Sequence, residues 1–484
     1  ALWLAEHQMN KEFYKEFGQS NPTLPLTEAG NIVQGNACRL NWEKVCPKNE
    51  GDEIYVLGNP PYLGYSLQSK EQKKDLELVF NGRKNFKNLD YIACWFQNGF
   101  DFILEQKIKF AFVTTDSICQ GEQVHNLWYD VLISKLEISF CYSPFKWYNN
   151  AKAKAGVSIT IIGVSNKISK PKFIFESNTK REVKNISPYL IEAENIIITK
   201  RKSPLSSLPK ILRGSGPVDG GNLLLSSKER EELLKEFPDS ERFIKAFIGA
   251  DEFLKGVKRW CIWIEDNDVE LALKIPPLKS RIEKVKEFRL SSKKIATVKS
   301  ADYSYKFGEP RYMKTKSIII PRHSSEKRKY IPFGFLGDNY VISDAAQAIY
   351  NAQVWEFGII SSIIHNIWIR TVCGTLESRI RYSSALGYNT FPFPSISHQR
   401  KEEIKHCAFR IIEERAKNSE KTIAQLYDPH KMPDGLREAH RLNDLAVERC
   451  YRSKPFETDE ERLEYLFKLY ERMIAEEKEK NSKL

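Results

Sequence analysis

The segment that most constrains the fold is a short apolar run, residues 54–58, followed at once by Asn59-Pro60-Pro61-Tyr62. An apolar run of this length bounded by turn-forming residues is typical of a buried strand. The two prolines exclude a helix after it and fix an extended, rigid backbone. The segment therefore predicts a strand whose carboxyl end presents an amide, a carbonyl and an aromatic ring to a flat ligand. A proline turn that simply ends a strand is the plainer alternative.

Residues 1 to about 200 alternate strand-like and helix-like segments, which favours an α/β fold with a mainly parallel sheet. The last two predicted strands are expected to form an antiparallel hairpin, and the full set is 32–33, 54–57, 110–114, 136–141 and 157–164. Gly, Pro and Ser residues between 200 and 222 indicate a domain boundary. The region after it mixes helix and strand patterns, and helical spacing from 396 onward predicts a tail of about three helices. We expect domains at 1–205, 206–395 and 396–484.

Composition narrows the possible partners and the cellular location. Lysine and arginine number 75 against 63 acidic residues, a net charge of +12, which is compatible with a polyanionic partner without establishing one. The nine cysteines form no Cys-x-x-Cys pair, so neither a zinc site nor a disulfide framework is expected and a reducing cytoplasm is the simplest location. No apolar run is long enough to predict a membrane span. Because the chain opens without Met, we expect a fragment that lacks its upstream part, with a processed natural start as the alternative.

The Asn-Pro-Pro-Tyr segment suits a particular chemistry. An exocyclic amine on a purine is a poor nucleophile, because its lone pair is delocalised into the ring. Two acceptors aimed at its N–H groups stabilise the charge that develops on the nitrogen during attack. The Asn59 side-chain oxygen and the Pro60 carbonyl can supply those acceptors, and Tyr62 can stack on the base. A methyl donor then needs only in-line proximity, and no metal is expected.

Further motifs extend along the chain, at residues 112–118, 121–124, 145–151, 217–222, 259–263, 321–326, 378–383, 388–394 and 426–433. With Asn59 to Tyr62, which is similar to motif IV of S-adenosylmethionine-dependent amino methyltransferases, they resemble the MmeI-like family of Type IIL restriction–modification enzymes. The resemblance covers essentially the whole chain. It implies the C-terminal half of a Rossmann-like methyltransferase sheet, an α+β target-recognition domain and a helical C-terminal tail. The family's glycine-rich cofactor loop and its nuclease domain are expected upstream of residue 1.

The resemblance also implies residue roles. The catalytic positions are Asn59, Pro60, Pro61 and Tyr62. Phe145 would stack on the other face of a flipped adenine, and Asn36 would contact the adenine of S-adenosylmethionine, although a turn asparagine beside glycine explains Asn36 equally well. The DNA-binding positions are Ser324, Glu326, Arg328, Arg379 and Arg381, for each of which a surface salt bridge is the alternative.

Three hypotheses follow. The first is a sequence-specific adenine-N6 DNA methyltransferase that uses S-adenosylmethionine and acts as a monomer on double-stranded DNA, with cations between 279 and 299 gripping phosphates. A solvated charged helix is the alternative for those cations. The second hypothesis is a DNA-binding fragment with no activity of its own, since no cofactor loop is found in the chain. The third is a protein-glutamine N-methyltransferase, against which the large basic second domain argues.

Overall fold

The structure is a computed structural model that describes residues 2–19, 31–129, 131, 135–147, 157–167, 171–176, 179–376 and 379–482. It is a mixed α/β protein, as the sequence predicts. Residue 1, residues 148–156 in the late methyltransferase motifs, and Ser378 in the recognition motifs lie outside the described residues.

A six-stranded sheet in the order β1-β2-β4-β3-β5-β6 organises the first part of the chain. Its strands are β1 Tyr55–Gly58, β2 Lys109–Thr115, β3 Leu136–Trp147, β4 Val157–Asn166, β5 Lys172–Glu176 and β6 Thr179–Val183. The four predicted strands from 54–57 onward and the antiparallel hairpin are confirmed. The prediction of a mainly parallel sheet is wrong: only β1–β2 and β3–β5 pair in parallel, because the hairpins β3–β4 and β5–β6 reverse the chain.

The predicted strand at 32–33 is also wrong. Residues Ile32 and Val33 are 82% and 45% exposed and belong to no strand. Two apolar residues are too few to identify a strand from their pattern. The outer edge of β1, where a further strand could pair, carries no strand partner among the described residues.

Helices cover one face of this sheet and leave the other largely open. The helices of this region are α1 Leu2–Phe17, α2 Trp42–Val45, α3 Lys70–Val79, α4 Ala93–Ile103 and the single turn α5 Gly121–Gln123. Phe96 of α4 packs edge-on against Phe110 and Phe112 of β2, at ring distances of 5.7 and 5.4 Å. On the opposite face Leu57 of β1 is 75% exposed beside an open apolar surface that includes Phe140.

The middle of the chain is α+β, as predicted. It contains two four-stranded sheets, β14-β9-β10-β8 and β13-β11-β15-β7, and a three-stranded sheet, β12-β17-β16. The strands are β7 Leu212–Arg213, β8 Leu224–Leu225, β9 Ile244–Ile248, β10 Trp260–Ile262, β11 Ser317–Pro321, β12 His323–Ser324, β13 Gly334–Leu336, β14 Tyr340–Ile342, β15 Ala346–Tyr350, β16 Thr375–Leu376 and β17 Arg379–Arg381. The helices are α6 Ser227–Glu236, α7 Ala250–Lys255, α8 Val269–Leu273, α9 Pro276–Leu290, α10 Ile295–Lys299, α11 Val354–Ile360 and α12 Ile363–Val372.

The expected basic stripe of residues 279–299 falls on α9 and the segment after it, but its arginines do not face solvent. Arg289 is fully buried and Arg281 is paired with Glu229 at 2.7 Å. Arg289 is therefore not available to grip a phosphate, and Arg281 already has an acidic partner. Lys284 and Lys286 on the same helix are exposed.

A helical tail ends the chain, with three long helices as predicted and one additional turn: α13 His398–Lys417, α14 Ile423–Leu426, α15 Asp434–Glu448 and α16 Asp459–Ser482. Their apolar faces join the same large core as the first sheet; Phe467, for example, packs on Trp368 of α12 at 5.4 Å. Across the described ranges, no helix combines the length and apolar character needed to cross a membrane.

Candidate functional site

The Asn-Pro-Pro-Tyr segment follows the carboxyl end of β1. Asn59 is exposed, Pro60 is buried and Tyr62 is half-buried against the main core. A cavity of about 520 Å³ opens beside this segment, and Asn59, Pro60 and Pro61 line it together with apolar groups that include Trp42. A cavity of this volume lies in the range typical of small-ligand sites. The sequence-predicted cleft is therefore present, with the asparagine on its wall rather than packed inside the core.

The backbone directly after Tyr62 is fixed by buried side chains. Leu63 donates its N–H to Asp90 Oδ1 at 2.8 Å. Its carbonyl accepts from Gln68 Nε2 at 2.8 Å and from the Tyr91 N–H at 3.0 Å. Burial raises the pKa of Asp90, against the opposing effect of backbone hydrogen bonds. Both backbone polar groups of Leu63 are thus satisfied, which fixes the backbone directly after Tyr62.

Asn36 lies in a loop folded around the buried carboxylate of Asp75. Its Nδ2 donates to Asp75 at 2.9 Å, and its Oδ1 accepts from the Cys38 N–H at 2.9 Å. Arg39 and Tyr91 also donate to Asp75, at 2.6 and 2.7 Å. Burial alone would raise the pKa of Asp75, but these hydrogen bonds outweigh it and hold that pKa below its ordinary value. Asn36 thereby shapes a loop whose next residue, Ala37, lines the Asn-Pro-Pro cavity.

Phe145 lies on β3, which β2 and β4 separate from β1 in the sheet. It pairs with Ile159 of β4 just after an irregularity in the register between Tyr142 and Phe145. Its side chain is 38% exposed. Bulges of this kind re-aim side chains near active sites.

The predicted recognition residues occupy a small sheet and the turn beside it. Ser324 is buried on β12 and pairs with Ile380 of β17. The turn that follows carries Glu326 and Arg328, both half-buried. Arg370 of α12 donates to the backbone carbonyls of both residues, at 3.2 Å for Glu326. Burial lowers the pKa of Arg370. The half-buried Arg370 thus fixes the backbone of this turn, while the side chains of Glu326 and Arg328 are left to make other contacts.

Arg379 and Arg381 flank the buried Ile380 on β17, so both side chains lie on the exposed face of the three-stranded sheet. His323 pairs with Arg381 in the register and is therefore close to the positive charge of these arginines. Its pKa is lowered by burial and then by the positive charges of Arg322, Arg379 and Arg381. The arrangement is a concentrated cationic surface next to the recognition turn.

Direct contacts connect the first sheet region to the recognition region. Gly121 and Gly374 pack backbone to backbone, with 3.3 Å between a Cβ placed on Gly121 and the Gly374 nitrogen. Thr375 donates to Gln120 Oε1 at 3.3 Å. Gly121 also has a φ of +60°, so a side chain here would meet both backbone strain and a close neighbour. This close approach places β16, next to β17, beside the segment that follows β2 of the six-stranded sheet.

The structure shows how the predicted site residues are arranged and which other groups hold their loops. It brings Asn59, Pro60 and Pro61 together at one cavity and holds Glu326 and Arg328 on one turn. The residues that sequence reasoning missed are the buried or half-buried polar groups behind these loops, namely Gln68, Asp75, Asp90, Gln123 and Arg370. Of these only Gln123 lies in a motif that the sequence had singled out. The others are separated from the loops they hold by up to 44 residues, so no local pattern marks them.

Comparison with known proteins defines the class. Three family models match in succession: the MmeI DNA-methyltransferase domain over residues 1–176, the MmeI target recognition domain over 192–395 and the MmeI C-terminal domain over 396–476. The chain therefore has the domain order of the MmeI type: a DNA-methyltransferase domain, a target recognition domain and a C-terminal domain.

Two relatives identify the family. DNA methyltransferase A of Bacillus subtilis (strain 168) is 42% identical over 477 residues, which are 98% of this chain and 54% of that protein. The structure of the Type IIL restriction–modification enzyme MmeI in complex with DNA matches with a TM-score of 0.80 and 38% identity, covering 98% of this chain and 64% of that one. The chain belongs to the MmeI family, which confirms the resemblance seen in the sequence. It spans about half the length of its curated relative.

Proposed function

We propose that this chain belongs to a sequence-specific adenine-N6 DNA methyltransferase, which transfers a methyl group from S-adenosylmethionine to an adenine turned out of the duplex. The chain carries the parts of that enzyme that bind the adenine and recognise the DNA. The observation that carries the proposal is the exposed Asn59 on the wall of a cavity large enough for a base, directly after an edge strand. Membership of the MmeI family supports the DNA substrate. We further propose domain limits at 1–205, 206–395 and 396–484.

In this proposal Asn59 Oδ1 and the Pro60 carbonyl accept hydrogen bonds from the adenine N6 amine. The end of β1 and the two proline rings restrict the backbone that carries both acceptors, which limits the reorganisation that accompanies the developing charge. Tyr62 stacks on one face of the base and Phe145 on the other. The Asp90 carboxylate bonds the Leu63 N–H and so fixes the backbone directly after Tyr62.

S-adenosylmethionine supplies the electrophilic methyl group. The apolar wall formed by Leu40, Trp42 and Phe102 beside Pro60 fits the flat, apolar part of such a cofactor. Asn36 supports this wall through the Asp75 loop, and a direct contact between Asn36 and the cofactor's adenine remains our proposal. We assign to these residues only the part of the cofactor site that adjoins the methyl acceptor.

DNA recognition in this proposal divides between charge and base reading. Arg379 and Arg381 project from the exposed sheet face, where they can contact phosphates or guanine. Glu326 and Arg328, on the turn held by Arg370, are placed to read base edges, with Arg suited to guanine and Glu to the cytosine amine. Ser324 is buried, and its hydroxyl has no hydrogen-bond partner among the described residues, so it can support the turn and bond a ligand that reaches it.

Substitution of Asn59 by Ala in the native polypeptide that carries this chain tests the function. We expect the methylation rate to fall by at least about 100-fold, because one preorganised acceptor is lost, while affinity for duplex DNA changes little. The matched control is Asn49→Ala, an exposed turn position before β1. Equal loss of methylation and of DNA binding would assign Asn59 a structural role and refute the proposal.

The alternative functions are distinguished by which molecule accepts the methyl group. With radiolabelled S-adenosylmethionine, we expect label in duplex DNA at the adenine amine. Label in a glutamine-containing peptide and none in DNA would establish a protein methyltransferase. DNA binding with no label in either acceptor would leave a binding module as the function.

A further inference from the structure

A second cavity, of about 800 Å³, lies between the methyltransferase sheet and the recognition region. One wall is the loop 83–88, the second is formed by residues 122–126, and the third by residues 198–200 with Leu386. Its lining carries four cationic side chains and one acidic side chain: Arg83, Lys84, Lys87, Lys200 and Glu122. Glu122 is paired with Lys200 at 2.6 Å, which leaves the opposite wall predominantly positive.

The cationic loop is held in one shape. Asn85 adopts the left-handed conformation with a φ of +66°, which asparagine tolerates better than most residues. Phe86 stacks on Phe80 of the core with rings 6.1 Å apart, and Leu89 is fully buried. Gln123 donates to the Asn88 carbonyl at 2.7 Å. The lysines therefore project from a fixed backbone, and little loop ordering is needed when they bind a ligand.

The same loop is connected to the Asn-Pro-Pro-Tyr segment. The Gln123 side chain that caps Asn88 also accepts from the Asp90 N–H at 3.0 Å. Asp90 in turn fixes the Leu63 N–H at 2.8 Å, one residue after Tyr62. Two consecutive hydrogen bonds thus separate Gln123 from the backbone that follows the catalytic motif. The second wall contains a π-helical turn, Val124–Trp128, an irregularity frequent at functional sites.

We propose that this cavity grips the DNA phosphate backbone close to the extruded adenine, with Lys84 and Lys87 neutralising phosphates. This inference rests on the proposed function, because a methyltransferase that turns a base out of the duplex must offset lost stacking and pairing with contacts elsewhere. Phosphates displace condensed counterions when lysine binds them, which makes the contact measurable as salt dependence. The hydrogen bonds of Gln123 and Asp90 then connect the bound strand's site to the backbone that follows Tyr62.

The experiment measures the affinity of the chain for duplex DNA across salt concentrations, with Lys84→Gln and Lys87→Gln singly and together. Each phosphate contact contributes about 0.9 to the slope of log affinity against log salt, so the double variant is expected to lose about 1.8. Its affinity loss between about 50 and about 200 mM salt would then be about tenfold smaller than that of the unmodified chain. The control is Lys107→Gln. Lys107 is exposed and lies just before the amino end of β2, at the end of the sheet opposite to the end that carries Asn59.

The outcomes separate this inference from the function it rests on. If the unmodified chain does not bind duplex DNA at low salt, the proposed function fails with it. If the chain binds and the double variant keeps its full slope, the cavity is not a phosphate site and the function stands. A slope lowered equally by Lys107→Gln would show a general charge effect and would also overturn the inference. The single variants, each expected to lose about half of the effect, check that the double variant has not simply misfolded.

Discussion

Arg289 offers the most direct test of how charge is used in the recognition region. It lies on α9 within the stretch of cations that the sequence assigned to DNA phosphates, yet it is fully buried. Its guanidinium donates to five backbone carbonyls, listed here with their distances: Val218 at 2.9 Å, Pro217 at 3.1 Å, Ser300 at 2.8 Å, Tyr303 at 3.0 Å and Lys306 at 2.6 Å. Burial lowers its pKa. Arg289 therefore holds the backbone of residues 217–218 and 300–306 against α9. All five N–H donors of its guanidinium are used, so none is left for DNA.

The cost of removing Arg289 can be estimated from these contacts. Each hydrogen bond to a charged group contributes about 1.5–3 kcal/mol, but five bonds from one group are not additive. Breaking a buried charged network costs about 3–5 kcal/mol, because the remaining polar groups lose their partners in a dry environment. We therefore expect Arg289→Met to destabilise the recognition region by about 4 kcal/mol. For a domain of about 200 residues this lowers the melting temperature by about 8–16 °C.

Thermal and urea unfolding of the chain measure this effect, with Lys286→Met as the control, since Lys286 is exposed on the same helix. We expect the control to shift the melting temperature by less than about 2 °C, as surface substitutions usually do. If Arg289→Met is as stable as the control and instead lowers the salt slope of DNA binding by about 0.9, the arginine is a phosphate ligand and the reasoning is refuted.

Three further predictions concern the other buried ionisable groups. Asp90→Ala should slow methylation more than it weakens DNA binding, because it frees the backbone behind Tyr62; a fluorescent base analogue at the target should report altered stacking, and unchanged stacking would contradict this. Arg370→Met should relax the preference for the target sequence over near matches in a methylation-sensitive sequencing assay, whereas Arg328 substitutions should redirect that preference; an unchanged profile would remove either assignment. Burial raises the pKa of Asp444 to about 7, so its contribution to stability is complete below the ordinary carboxyl range and is lost as pH rises toward 7. In Asp444→Asn the urea midpoint should depend less on pH between about pH 4 and about pH 7 than it does in the unmodified chain. The same pH dependence in both proteins would refute the assignment.

The elements that could be predicted from the sequence are those that carry a local signal. The strand at 54–57 was identifiable because prolines end it, and the strand at 157–164 because five of its eight residues are Val or Ile. Residues 32–33 show the limit of such reasoning: a two-residue apolar pattern carries too little information, and both side chains lie in solvent. The mixed direction of the sheet depends in part on the antiparallel pair β5–β6, which the sequence analysis did not predict.

The Asn-Pro-Pro-Tyr segment could be singled out for the same reason, since four adjacent residues determine its conformation and suit the proposed chemistry. The groups that hold it were not, because Asp90 is 27 residues from Leu63 and becomes its neighbour only through the fold. The sequence likewise does not show whether a charged side chain is buried or exposed. Arg289 and Lys286 belong to one basic helix, but one is buried under carbonyls and the other faces water.

The buried charges share one physical role. Loops at a catalytic or recognition site lack the regular hydrogen bonds of helices and sheets, so their backbone groups need other partners when they are buried. Here a carboxylate serves Leu63, and one guanidinium serves the turn of Glu326 and Arg328. Because Arg370 bonds only backbone atoms of that turn, the side chains at its tip can change without loss of the turn's shape. It follows that recognition should be altered at Glu326 and Arg328 with little cost in stability, whereas substitution of Arg370 should cost both stability and fidelity.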